Sequence, residues 1–370
     1  MPLIDAIEVH AVRLPLEQPL FASQVRFAVR DYVLIRILCD DGSIGRGFTY
    51  VGTTGAVPVA RIITDMLKDV VIGKDPAQPD AVWRDMFAQT LIQGRTGIVM
   101  NAMSAIDIAL WDRNARVAGQ PLYRFLGAGP THSVPAYASG GYYGEELDLG
   151  RLKAEIESYV DMGFDAVKIK TGRLSPEDEE RRVATVREAL GSERTMLLDA
   201  YHSWQDEETA MRYIDRMLPY NPAWIEDPLP PDQLGAYARL ARKFTVPLAT
   251  GEFYAGIPAF SQIVEQGSAR ILQPEAPRCG GITEWRKIAK MVDEAGLSVC
   301  PCWFHDLHAQ LAPSSANVPM IECFTDFKVL NFGRLIDKPL VCDGGRLVLS
   351  DEPGLGFDFD MDIITRHSVQ

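Results

Sequence analysis

From about residue 133 onward, short apolar runs alternate with amphipathic helical stretches, and this alternation limits the possible folds more than any other feature of the chain. The runs are Val134–Ala138, Ala166–Lys170, Met196–Asp199, Ala223–Glu226, Pro247–Glu252, Ile271–Gln273, Ser298–Pro301 and Met320–Cys323. Helical patterns such as Pro176–Leu190 and Glu207–Leu218 separate them. Eight strands joined by helices, at a repeat of roughly 25–30 residues, are the pattern of a parallel (β/α) barrel. A doubly wound open sheet is the alternative, but no glycine-rich turn follows the first of these strands.

The residues before the barrel pattern read differently. Ile4–Leu14 is extended, and Tyr32–Leu38 runs into the turn Asp40-Asp41-Gly42 and returns through Ile44–Tyr50. Helical patterns follow near 55–71, 78–93 and 98–117, the last closed by Gly119 in C-cap position. Strands followed by helices make an α+β unit over residues 1–125. The barrel is expected over 126–335. A tail over 336–370, with strand character at Arg346–Leu349 and a turn at Pro353–Gly356, is placed to return to the N-terminal unit.

At 370 residues such a chain buries a core that needs no disulfide or structural metal. Its net charge of −13 argues against a nucleic-acid partner, which requires a clustered basic face. No apolar run is long enough to span a bilayer, and Asp5 and Glu8 interrupt any signal-peptide pattern. The six cysteines are scattered and read as reduced, and Cys300-Pro301-Cys302 lacks zinc-site spacing. The expected setting is the cytoplasm.

In a parallel barrel the residues that end the strands converge on one mouth. Here they include Lys168 and Lys170, then Asp199, Glu226, Glu252, Glu275, Cys302 and Glu322. Three carboxylates on successive strand ends (Asp199, Glu226, Glu252) repel one another unless a cation lies between them or their pKa values rise. An all-oxygen donor set suits Mg²⁺. Lys168 and Lys170 alternate along one strand and so face the same side. Two close ammonium groups are expected to depress each other's pKa toward the range useful for a general base.

Several motifs in fixed order then carry a resemblance. They are Ala102-Met-Ser-Ala-Ile-Asp-Ile-Ala-Leu-Trp-Asp112 with Gly119-Gln-Pro-Leu122, Val167-Lys-Ile-Lys170, Leu198-Asp199, Trp224-Ile-Glu226-Asp-Pro228, Gly251-Glu252, Gly280-Gly-Ile-Thr283 and Pro353-Gly-Leu-Gly356. Over essentially its whole length the chain resembles the mandelate racemase/muconate lactonizing enzyme family of the enolase superfamily. The resemblance implies an α/β protein, a modified TIM barrel of (β/α)7β form with an N-terminal α+β capping domain. It implies Mg²⁺ at Asp199, Glu226 and Glu252, and removal of the proton α to a carboxylate to give a metal-stabilised enediolate. Lys168 then lies against the substrate carboxylate, Lys170 takes the proton, and Glu322, if protonated, donates a hydrogen bond to the enediolate. Relatives also imply a homo-oligomer acting on a small carboxylate substrate.

The chain departs from the racemase pattern on the far wall. That pattern has an Asp at the sixth strand end and a His at the seventh, whereas Glu275 and Cys302 stand here. Cys302 is an acid or base in its own right, since thiols titrate near 8.5, or a small filler. His305 and His308 lie close behind it as alternatives or as helix-start residues. Tyr201, with His202 after it, replaces the residue that often follows the first metal ligand. Tyr142 and Tyr143 are candidate pocket residues. Arg26 and Arg30, in a segment Phe21–Arg30 that closes over the site in relatives, are candidate contacts for a distal substrate group.

One-sided base equipment favours dehydration of a hydroxylated carboxylic acid, a sugar acid, or the related cycloisomerisation of a lactone, over racemisation. Epimerisation or lactone cycloisomerisation is the second choice. A Schiff-base barrel built on Lys170 leaves the three carboxylates without a shared purpose. A homologue that only binds its ligand sits poorly with an intact set of lysines and carboxylates.

Overall fold

The computed structural model describes residues 1–370. Its N-terminal part is built on three antiparallel strands, β1 (Ile4–Ala22), β2 (Val25–Cys39) and β3 (Ile44–Tyr50), in that order. The apolar run in β2 serves two cores at once because alternate side chains point to opposite faces. Val33, Ile35 and Ile37 pack into the cap's own core, while Tyr32 and Leu34 join the larger core shared with the barrel. The segment Phe21–Arg30, expected as a closing loop, is instead the tip of the β1–β2 hairpin, turning at Ser23 and Gln24 with Phe21 opposite Arg26. Its backbone is tied to the barrel by paired hydrogen bonds between Phe21 and Tyr143.

The helix Gly97–Val117 is buried along almost its full length and joins the two parts. It packs directly on β3, where a side chain at Gly45 or Gly47 would collide with the carbonyls of Ala109 and Ala105. On its other side Asp107 accepts a 2.8 Å hydrogen bond from the Thr283 amide, and the Trp111 indole donates to the Thr283 hydroxyl. Both bonds cross from cap to barrel.

The barrel strands are β4 (Ser133–Gly140), β5 (Ala166–Lys170), β6 (Thr195–Asp199), β7 (Trp224–Glu226), β8 (Leu248–Thr250), β9 (Ile271–Leu272), β10 (Ser298–Val299) and β11 (Ile321–Cys323). From β4 to β10 each pairs in parallel with the next, and β11 pairs with β4 on its other edge. Helices Leu149–Asp161, Pro176–Leu190, Glu207–Met217, Leu234–Lys243, Gly256–Gln266, Gly281–Glu294 and His305–Leu311 fill the seven crossovers. A short 3₁₀ turn at Phe332–Leu335 follows β11 where an eighth helix would begin. The fold is therefore a (β/α)7β barrel beneath an α+β cap.

The tail makes two stops. A hairpin, β12 (Cys342–Asp343) and β13 (Arg346–Val348), pairs antiparallel with the first residues of β4. The last residues then bridge to the cap, with Ser368 opposite Val12. No helix is long and apolar enough to cross a membrane.

Candidate active site

The ladder itself aligns the first site residues. Lys170 pairs in register with Asp199, and Asp199 with Glu226, so three functional side chains sit on adjacent strands at one level. Glu252 lies two residues beyond β8 rather than on it. Gly251, at φ 149°, makes that exit, and a Cβ there would press on the backbone of Gln273. Glu275 and Cys302 likewise lie three residues beyond β9 and β10. Short strands with long exits let side chains from six different strands reach one point.

The Lys168 ammonium bonds Glu226 at 2.7 Å and Glu322 at 2.9 Å, with Asp199 at 3.8 Å; Lys170 pairs with Asp199. All five side chains are buried. The expected mutual depression of the two lysines is overturned here. Burial disfavours both ammonium groups, but the facing carboxylates outweigh it and hold both pKa values well above normal. Glu322 is corrected too. Burial opposes its charge, yet Lys168 and Lys170 keep its pKa low, and it accepts the Trp303 amide hydrogen at 2.5 Å, so it acts as an ionised acceptor rather than a donor.

Of the three carboxylates expected to hold Mg²⁺, Asp199 and Glu226 share the Lys168 ammonium, while Glu252 gathers with Asp227 and His202 on one side and with Glu275 and Cys302 on the other. Asp199 accepts the Tyr201 amide at 2.8 Å, and Glu226 accepts the Trp224 indole N–H at 3.2 Å. Glu252 accepts the Trp303 indole N–H at 3.1 Å and the Cys302 thiol at 3.7 Å on one oxygen, while its other oxygen is buried without a partner. A buried carboxylate oxygen with no donor is costly unless something positive meets it. The all-oxygen character of the set and the unmet Glu252 oxygen suit a hard dication.

Backbone strain gathers at the same level. Tyr201, His202, Asp227, Trp303 and Phe304 all have positive φ, and each follows closely on the end of β6, β7 or β10. Such conformations cost of order 1–3 kcal/mol each and tend to mark functional sites.

The remaining candidates separate. Tyr201 is brought in, its ring 5.0 Å from the Lys170 nitrogen. His202 comes near Glu252, but its nitrogens face the Leu229 carbonyl at 2.8 Å and Asp227 at 3.2 Å. Burial opposes its charge, and Asp227 overrides that and lifts its pKa to about 9. Cys302 and Glu275 join Glu252 in one buried cluster, and neither Glu275 oxygen accepts a hydrogen bond, although Arg278 lies 3.9 Å from one of them. Burial and then Glu252 hold the Cys302 thiol in its protonated form.

Four candidates are not brought to the lysines. Arg26 is exposed at the hairpin tip, because the strand that carries it turns it to solvent. Tyr143 donates a 2.5 Å hydrogen bond to Glu179, so its hydroxyl is consumed inside the barrel wall; it is Tyr142 whose ring meets Lys170, at 5.2 Å. His305 has Nε2 3.6 Å from its neighbour Asp306 and Nδ1 buried without a hydrogen-bond partner. His308 is a structural bolt, with one nitrogen accepting the Ala276 amide and the other facing the Trp303 carbonyl. That pattern requires a neutral ring protonated on Nδ1, and burial lowers its pKa to about 4.

Trp303 was not singled out by the sequence reading, although its side chain and amide position Glu252 and Glu322. Only its place beside Cys302 signalled it. The guanidinium of Arg182, bonded to the carbonyls of Gly141 and Lys170, was also missed.

Fold and site together define a capped barrel whose mouth holds a lysine pair inside a ring of carboxylates. Residues 5–127 match the mandelate racemase/muconate lactonizing enzyme N-terminal domain, and residues 151–363 match the enolase C-terminal domain-like family. The chain belongs to the mandelate racemase/muconate lactonizing enzyme family of the enolase superfamily. It is 32% identical to D-galactarolactone cycloisomerase of Agrobacterium fabrum, covering 98% of each chain. It is 34% identical to L-talarate/galactarate dehydratase of Salmonella typhimurium, covering 88% of this chain and 79% of that one. A racemase from Streptomyces coelicolor A3(2), solved with bound magnesium, superposes with a TM-score of 0.93 at 29% identity, covering 99% and 100% of the two chains.

Proposed function

We propose that the protein is a Mg²⁺-dependent lyase that dehydrates a sugar acid. The observation that carries this reading is the placement of Lys168 and Lys170, with buried Asp199, Glu226, Glu252 and Glu322 around them and Glu275 and Cys302 at the exits of the sixth and seventh barrel strands. Held by Asp199, Glu226 and Glu252, Mg²⁺ would supply positive charge against the substrate carboxylate as its charge grows. The oxygens that the two ammonium groups meet on Asp199 and Glu226 belong to that same set, so a bound Mg²⁺ would compete with the lysines for them, leaving Lys168 its contact with Glu322.

Lys168 lies where it meets the substrate carboxylate. Lys170 removes the α-proton, and the electron pair moves toward the carboxylate. The bond from the β-carbon to its hydroxyl then breaks, the hydroxide leaves as water with a proton from an acid, and the enol tautomerises to a 2-keto acid. Glu275 stands on the sixth strand exit, across the barrel from Lys170 on the second. Burial raises its pKa against the opposing Arg278, and its oxygens accept no hydrogen bond, which makes it the candidate acid. The same placement favours a second reading, epimerisation or lactone cycloisomerisation, in which Glu275 or Cys302 works on the opposite face.

The test is proton exchange in D₂O with Mg²⁺ across a panel of sugar acids, followed by NMR. The α-proton signal is expected to wash out with formation of a 2-keto acid, and both are expected to vanish with EDTA and to fall at least about a thousandfold in Lys170→Ala. Exchange that survives EDTA would sink the metal assignment, and exchange without net product would favour the epimerase. The six free cysteines suit a reducing setting, the cytoplasm. Exposed Leu91, Ile92 and Ile98 on the cap suit contact with a second copy of the chain, which sedimentation would detect.

A further inference from the structure

Trp303 holds several parts of the molecule at once. It follows the end of β10 with φ 57° and is 5% exposed. Its indole N–H donates to Oε2 of Glu252 at 3.1 Å, and its amide donates to Glu322 at 2.5 Å. The Cys302 thiol, the other donor to that Glu252 oxygen, is more distant at 3.7 Å. Oε1 of Glu252 is the oxygen left without a partner. The indole thus decides which way the Glu252 carboxylate is turned, and hydrogen bonds of this kind orient the carboxylates that ligate metals.

The indole is itself held from the cap. Tyr50, which ends β3, stacks on it at 5.3 Å between centroids, with the planes 23° apart. Arg30 of β2 lies over the same ring, its guanidinium carbon 4.8 Å from the centroid. That guanidinium is fully buried, and the groups acting on it most strongly are phenols, Tyr50 first, rather than carboxylates. One terminal nitrogen donates to the Tyr50 hydroxyl at 2.6 Å, and Nε reaches the Val329 carbonyl at 3.3 Å. The other terminal nitrogen has no partner. A buried cation without a counter-ion is costly, and aromatic faces compensate it here: Phe27 at 4.2 Å, then Trp303 and Tyr50. The attraction acts both ways. A cation over an indole draws electron density from the ring, and a donor polarised in this way bonds its acceptor more strongly.

We infer that Arg30 and Trp303 form a positioning relay from the cap to the metal site: the Arg30 cation fixes and strengthens the indole N–H, and the indole holds Glu252 with Oε1 free for Mg²⁺. Neither is a catalytic residue in this assignment, since each acts through Glu252. The inference rests on the Mg²⁺ reading of Asp199, Glu226 and Glu252 above. It gives the cap, which supplies none of those carboxylates, control over the affinity of the metal site.

The experiment titrates Mg²⁺ into the substrate-free protein by calorimetry, with Mn²⁺ followed by electron paramagnetic resonance as a second probe. The variants are Trp303→Phe, which keeps a ring but loses the N–H, Arg30→Met, which keeps length but loses the charge, and the two combined. Glu252→Gln is the control. Trp303→Phe is expected to weaken Mg²⁺ binding by about 10–100-fold. Arg30→Met, at a residue that makes no bond to Glu252, is expected to weaken it by about three- to tenfold through the polarised donor alone. The double variant is expected to bind no more weakly than Trp303→Phe, because the arginine acts through the N–H that this variant lacks. Two independent packing roles would instead make the losses add. Additive losses, or wild-type affinity in a folded Trp303→Phe or Arg30→Met, would overturn the relay and leave the metal assignment standing. A wild type that binds no Mg²⁺, or binds it no better than Glu252→Gln does, would overturn that assignment and the relay with it. Should Arg30→Met fail to fold, Tyr50→Phe, which withdraws the hydroxyl that holds the guanidinium, takes its place in the same cycle.

Discussion

At the scale of single residues, the site is a balance of buried charges in which each group depends on the next. Cys302 tests how far the racemase pattern survives. Its thiol is one of two donors to a Glu252 oxygen and the longer of them, 3.7 Å against 3.1 Å for Trp303. Cys302→Ser is therefore expected to lower kcat/KM by less than about tenfold, the scale of one modest hydrogen bond. A thousandfold loss would instead make the thiol a second acid–base group. Much at this scale was legible in the chain. Lys168, Lys170, Asp199, Glu226, Glu252 and Glu322 were all marked by their places at strand ends, because a parallel barrel converts those places into one mouth. Trp303 was not legible, since nothing local shows that an indole two loops away will reach Glu252. Arg26 and Arg30 were equal candidates until the folded hairpin left Arg26 exposed near its tip and buried Arg30 further along the same strand.

At the scale of elements, the cap depends on how closely β3 approaches the helix Gly97–Val117. A methyl group at Gly47 would meet the Ala105 carbonyl, which belongs to backbone and cannot rotate away. Gly47→Ala is expected to destabilise by about 3 kcal/mol or more, the upper range for overpacking, seen as a lower urea midpoint. An unchanged midpoint would mean that strand and helix can separate without cost. The eight barrel strands and the long helix were readable because their periodicity is strong. The hairpin tip was not: the polar stretch around Ser23 and Gln24 breaks the apolar pattern, and its extended pairing is completed by Tyr143 from the barrel.

At the scale of the molecule, cap and barrel are joined by groups whose charge depends on pH. Burial raises the Asp107 carboxyl from 3.8 to about 7, against the opposing hydrogen bonds from Thr283. The folded chain thus keeps a proton that the unfolded chain releases near pH 4, so this contribution is fullest below that pH and is lost as pH rises toward 7. Three units correspond to about 4 kcal/mol. Asp107→Asn keeps the acceptor without the titration. Its thermal midpoint is expected to match wild type near pH 3 and to exceed it by a growing margin from pH 5 to 7. Parallel curves across that range would show that the carboxyl is not desolvated as its burial implies.

The sequence alone determined the class of fold, the lysine pair and the carboxylates at the strand ends, because strand periodicity and crossover length are local properties that a closed barrel turns into position. It could not determine what surrounds those residues. Whether two lysines repel or are clamped, whether Glu322 donates or accepts, and which arginine is buried without a counter-ion depend on atoms far apart in the chain. Coulomb energy and desolvation act over a few ångströms of space, and only the tertiary structure sets those distances.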